Sequence, residues 1–210
     1  MDVALQVMMG VSLAACAGLR AWLPLLIVGL LGRTGQLQLN ASYAFLSSNG
    51  ALIAFGVATL LELLGDKVMA IDHFLDTVGT VARPAAGAVL VAAALSDTDP
   101  LTATVLGVVT GGGTALGLHL GKATLRLASS ALGIFHGGVG NLLLSVLEDV
   151  ALVGLAALAV FIPVLAFIIT ILLLIASVLF AVRMKKRLGR RTPQEQPLAE
   201  DRPQTDRPEN

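Results

Sequence analysis

Six apolar runs alternate with polar punctuation along this chain. They occupy residues 3–31, 50–64, 84–95, 101–120, 138–160 and 163–182. Apolar runs near 20 residues match the thickness of a hydrocarbon core of about 30 Å. The first is long: its 29 residues would reach roughly 44 Å as one helix, which predicts a tilted span or a kink at Pro24. The third is too short to span unless it starts near Val78. Between the runs, GRTGQLQLNASYAFLSSN at 32–49 reads as a loop with a short interfacial segment. SDTDP at 96–100 reads as a tight turn, and residues 121–137 read as a polar connector.

Composition turns these runs into a class. The chain has 210 residues, 56% hydrophobic and 13% charged, with a mean hydropathy of +0.85. Soluble domains carry about 25% charged residues, so a water-soluble fold of this size would not hide so much apolar side chain. Aromatics are scarce at 4%, whereas glycines number 22, as suits membrane helices whose backbones approach closely. The expected fold is all-α: a polytopic helical membrane protein of about six transmembrane helices over residues 1–183. Residues 184–210 are expected to form a basic, then disordered, cytoplasmic tail.

Net charge is zero, but Arg183, Lys185, Lys186, Arg187, Arg190 and Arg191 gather after the last run. Lys and Arg collect on the cytoplasmic side of a membrane. With six spans both termini lie there, and so do the connectors holding Lys67, Arg83, Lys122 and Arg126; the outer connectors hold only Arg33. The environment is therefore expected to be the bacterial cytoplasmic (inner) membrane, with a cytoplasmic C-terminus and no nucleic-acid partner.

LLELLGDKVMAIDHFLDTVGTVARP, residues 60–84, is unlike the runs around it. At 3.6 residues per turn, Glu62, Asp66, Met69, His73, Asp76, Thr80 and Arg83 form one stripe. Leu64, Val68, Ile71, Leu75, Val78 and Ala82 form another, nearly opposite. The pattern predicts an amphipathic helix continuing to Pro84, with Asp72 also polar along it. Such a helix lies at the interface with its charges in water, or turns them inward to a cavity, where they must pair or meet water.

Arg20 stands mid-run in AACAGLRAWLPLL, too central to reach either surface. It stays charged, so an acidic partner is expected among Glu62, Asp66, Glu148 and Asp149. In the fifth run Asn141, Ser145 and Glu148 share a helical face. With Glu62 and Asp66 they present carboxylate, amide and hydroxyl oxygens of the kind that hard cations or protons use; interhelical hydrogen bonding is the competing use. LLELLGD at 60–66 and LLSVLED at 143–149 resemble each other, a hint of an internal repeat.

Cys16 is the single cysteine, so no internal disulfide or cysteine metal cluster is possible. SLAAC superficially resembles a lipoprotein cleavage box, but MDVALQVMMG carries no positive charge ahead of it; a small residue packed in a helix is expected instead. His73 and Asp76 are spaced i, i+3, yet two such residues do not make a metal site. His119 reads as an interfacial anchor beside Lys122 and Arg126. TGGGTALG lacks the phosphate-loop pattern and suits helix packing, which allows a homo-oligomer without requiring one. No cofactor, metal or catalytic residue is expected.

AGLRAWLPLL at 17–26 and ELLGDKVMAIDHFLDTVGTVARPAAGA at 62–88, with GKATLR at 121–126 and SVLED at 145–149, resemble a bacterial membrane family catalogued as domain of unknown function 4126. The resemblance implies a small multi-span protein of the cell envelope and carries no activity. Three function classes fit the charges. The first is a transporter or channel for an ion or small polar solute, in which Glu62, Asp66 and Glu148 handle the cation or proton and Arg20 is the counter-charge. The second is a non-transporting assembly or scaffold subunit. The third, a lipid-acting enzyme with His73 as acid or base, lacks any catalytic signature.

Overall fold

A computed structural model describes residues 2–65, 69–131 and 138–189. Among these every regular element is helical: α1 (Val3–Leu19), α2 (Trp22–Arg33), α3 (Asn49–Gly65), α4 (Met69–Ala94), α5 (Pro100–Leu106), α6 (Gly113–Ala131), α7 (Gly138–Phe161) and α8 (Pro163–Gly189). A 3-10 helix, Ala41–Ser47, precedes α3, and a π-helical segment, Gly107–Gly112, joins α5 to α6. Three helical stretches are long and apolar enough to cross a membrane: Thr77–Ala94, Pro100–Thr124 and Pro163–Met184. They become four if the 3-10 helix and α3, bent by 61° at their junction, act as one span.

Several boundaries differ from the sequence pattern, each for a physical reason. The first run breaks at Arg20, not at Pro24. Arg20 is extended (φ −140°, ψ 124°), while Pro24 sits in the first turn of α2, where backbone N–H groups have no intrahelical partner to lose. The amphipathic stretch is not one helix. α3 ends at Gly65 and α4 begins at Met69, so Glu62 and Arg83 stand on different helices. Nor does Pro84 end the helix: it lies inside α4, which absorbs the short third run and thereby gives it spanning length. The expected connector after residue 120 is helical to Ala131. Ile162 alone separates α7 from α8, because Pro163 cannot continue a helix but starts one well.

The packing inverts that of a soluble protein. α1 sits at the centre, touching α2, α4, α6, α7 and α8. Its buried residues include a run of small ones, Ala14, Ala15, Cys16, Ala17 and Gly18, beside the larger Met9 and Leu13. Large apolar residues point outward instead, among them Val57, Leu60 and Leu61 on α3, Val108 and Val109 on the π segment, and Leu172, Ile175 and Val178 on α8. In water that surface would be an aggregation hazard; lipid tails would solvate it.

Glycine sets the closest approaches. A Cβ on Gly18 would lie 2.5 Å from the carbonyl oxygen of Ala115, and one on Gly87 would lie 2.5 Å from that of Gly111. So α1 meets α6, and α4 meets the π segment, backbone to backbone. At one end of the bundle two buried amides fasten the 95–99 turn. Asn40 Nδ2 donates to the carbonyls of Leu95 and Thr98, each at 2.8 Å. Gln6 Nε2 donates to Ser96 Oγ at 3.0 Å and Asp97 Oδ2 at 2.8 Å.

Two stability predictions come from this packing. Gly87→Ala should destabilise the protein by roughly 1–3 kcal/mol, the usual cost of overpacking. Gly56→Ala, where an added Cβ meets nothing within 4 Å, should not destabilise it; thermal unfolding in detergent compares them. The second concerns Asp99, which caps α5. The Thr102 hydroxyl and the Thr102 N–H (3.0 Å) hold its carboxyl below the usual carboxylate range. A depressed carboxyl favours the fold above its unfolded pKa of about 3.9, and the contribution is lost as pH falls through the lower folded value. Asp99→Ala should therefore lower the melting temperature at neutral pH, and the difference should vanish once acid protonates the parent carboxylate.

Candidate functional site: a charged cluster at a helix break

The break between α1 and α2 exposes two sets of backbone groups. The last carbonyls of α1 form the negative end of one helix dipole, and the first N–H groups of α2 the positive end of another. Each meets a side chain of opposite charge. Ala21 N–H donates to Glu62 Oε1 at 3.2 Å, and Trp22 N–H faces Glu62 Oε2 at 3.5 Å. Lys122 Nζ donates to the carbonyl of Leu19 at 3.4 Å. Arg20, at the break itself, donates from Nε to Asp149 and from Nη1 to the backbone carbonyl of Glu62 at 3.3 Å.

The cluster extends on both sides. Lys122 Nζ also donates to Glu148 Oε1 at 2.5 Å. Arg83 Nη2 lies 3.8 Å from Glu62 Oε1, and Arg83 Nη1 contacts His119 Nδ1. His119 Nε2 is 3.4 Å from the hydroxyl of Thr80. Arg20, Glu62, Arg83 and His119 expose 1%, 5%, 3% and 6% of their surface, which places them inside the bundle. Six helices contribute: α1 ends at the break, α2 begins at it, and α3, α4, α6 and α7 supply Glu62, Arg83, Lys122 and the two acids.

Of the residues singled out from sequence, Arg20, Glu62, Arg83, Glu148 and Asp149 converge here. Arg20 takes Asp149 as its acidic partner. Glu148 faces Lys122, so its carboxylate already has a cation. Glu62 and Asp149, from the two similar heptapeptides, both reach the break. Asp66 lies outside the described residues, as does the tail from residue 190. Asp72, His73 and Asp76 are on α4, and Asn141 and Ser145 on α7; their side chains are outside the described set. Among the described residues no group of three or more His, Cys, Asp or Glu side chains is placed to hold a metal ion.

Two members were missed. His119 is buried against α4 rather than anchored at an interface, and Lys122 is a partner of Glu148 rather than a surface charge. The available signal was their i, i+3 spacing, which puts both on one face of an otherwise apolar helix. Elsewhere, an apolar groove of about 480 Å³ opens between α1, the π segment, α6 and α8, lined by residues including Val7, Val11, Val109 and Phe167. It shares no residue with the cluster.

Residues 7–183 match the family described as Domain of unknown function (DUF4126). The chain belongs to that family. No curated protein and no solved structure matches it. For this DUF4126 chain, location and architecture therefore rest on the family, composition and helices, and activity must be argued from the cluster.

The Arg20–Asp149 pair supplies a test. Removing one partner of a buried pair strands the other charge, at about 3–5 kcal/mol. Arg20→Gln should lower stability on that scale, and Asp149→Asn added to it should restore a substantial part. A double-mutant cycle of unfolding in detergent should show a coupling of about 1–3 kcal/mol; additive losses would mean that the two side chains do not interact.

Proposed function

We propose that this DUF4126 protein is a small membrane transporter or channel for an ion or small polar solute, working at the α1–α2 break. One observation carries the reading: a helix interrupted at a single extended residue inside an apolar bundle, with both half-helix ends met by charged side chains. Irregular backbone at membrane depth is tolerated where it is buried in protein or lines a hydrated cavity. Broken helices of this kind build the binding sites of many transporters. Ionisable groups at depth are functional candidates on energetic grounds.

In this reading Glu62 and Glu148 handle the cation or proton and Arg20 is the counter-charge. The described arrangement is a closed one, since Arg20–Asp149, Lys122–Glu148 and Arg83–Glu62 satisfy one another. A permeating species would enter by substituting for one partner of a pair. The chain would lie in the bacterial cytoplasmic membrane with its runs crossing six times. Arg183, Lys185 and Lys186 directly after the apolar part of α8 support a cytoplasmic C-terminal side.

The second reading, an assembly subunit without transport, is favoured by the same pairing, because paired charges also fix helix register. It draws further support from the broad outward apolar face of α8. Reconstitution separates the two. Vesicles holding the protein should pass at least one species of a broad ion and solute panel faster than empty vesicles, and Glu62→Gln should reduce that flux at least tenfold. Flux equal to empty vesicles across the panel, together with a stable co-purifying protein, would leave the assembly reading.

A further inference from the structure

We infer that the buried His119 is a proton-binding site and that Arg83 is the latch a bound proton moves, which makes the proton the transported or coupling ion. The inference rests on the transport reading and deepens it.

The geometry assigns the imidazole's state. An arginine is always a donor, so the His119 Nδ1 that Arg83 Nη1 contacts must present its lone pair. The ring is then neutral with its proton on Nε2, and Nε2 donates toward the Thr80 hydroxyl at 3.4 Å. A proton arriving at Nδ1 takes the lone pair that Arg83 uses and turns the contact into cation against cation. Arg83 has another acceptor within reach, because its Nη2 is already 3.8 Å from Glu62 Oε1. Binding one proton therefore shifts the guanidinium from α6 toward α3 and tightens it on the carboxylate that receives the Ala21 and Trp22 N–H groups. Proton occupancy at His119 is thereby connected to the α1–α2 break through one side chain.

Charged and titratable groups stand on the helices around the ring. α4 brings Thr80 and Arg83 to it, and Asp72, His73 and Asp76 lie earlier on the same helix. α3 contributes Glu62 by way of Arg83. On α6 itself Lys122 is the next charge, already on Glu148. α1 holds Cys16 as its only titratable side chain before Arg20, and α8 carries no charged residue from Pro163 to Val182.

The test uses His119→Gln. Its amide oxygen can accept from Arg83 and its amide N–H can donate toward Thr80, but it takes up no proton. In vesicles where the wild-type protein passes a solute or ion, an imposed pH gradient should accelerate flux. In His119→Gln the gradient-dependent part should be lost while the protein still folds, as judged by its melting temperature. A variant that keeps the full wild-type response to the gradient would overturn the proposal.

Should the wild-type protein pass nothing, transport fails by itself, and the proton site is decided by nitrogen NMR of histidine-labelled protein in nanodiscs. His119, assigned by its loss in His119→Gln, should show Nε2–H alone near neutral pH. It should gain Nδ1–H on acidification, with a concurrent change at the Arg83 guanidinium. An Nδ1–H tautomer at neutral pH, or no proton uptake, would overturn it.

Discussion

The interior of this bundle is organised by one constraint: backbone groups opened at Arg20 have no water to bond to. An uninterrupted helix would have satisfied them internally. Instead two residues, the extended Arg20 and Ala21, separate α1 from α2, and the freed groups recruit Glu62 at the amide end and Lys122 at the carbonyl end. Those two side chains then need partners of their own, and Arg83 and Glu148 supply them. Arg20 completes the set with Asp149. Arg20, Glu62, Arg83, Lys122, Glu148 and Asp149 thus belong to one connected answer to one backbone break.

The apolar packing serves the same end. Charged side chains from α3, α4, α6 and α7 reach a common point only if their helices approach closely. The alanines and glycines of α1, α4 and the π segment permit that approach, because nothing larger than a hydrogen stands between the backbones at Gly18 and Gly87. Much apolar bulk faces outward, as on α3 and α8, where acyl chains would accept it. Small inside and large outside is the distribution expected where the hydrophobic effect does not drive helix together with helix.

The all-helical class and the presence of apolar helices of spanning length were legible in the sequence because they depend on composition and run length, which do not require knowing contacts. The need of Arg20 for an acidic partner was legible for the same reason: a fixed charge in a long apolar run has few options. The partner's identity was not, since four acids met the criterion, and it is the packing of α7 against α1 that sets Asp149 against Arg20. The break itself was hidden. AGLRAWLP contains no local breaker before Pro24, and Arg20 is extended because tertiary partners hold it so. Likewise the periodic stripe from Glu62 to Arg83 was real as a pattern but misleading as an element. Two helices that bring Glu62 and Arg83 within 3.8 Å of each other can carry the same alternation as one continuous helix.

The π-helical segment from Gly107 to Gly112 sets the register of everything after it. A π turn holds one residue more than an α turn, and one residue corresponds to about 100° of rotation around a helix. With that residue accommodated, α6 presents His119 to α4 and Lys122 to α7. An α-helical path through the same glycines would swing both side chains about a quarter turn away from Arg83 and Glu148. The aim of the charged cluster is therefore decided in a stretch of glycine, valine and threonine that carries no charge at all.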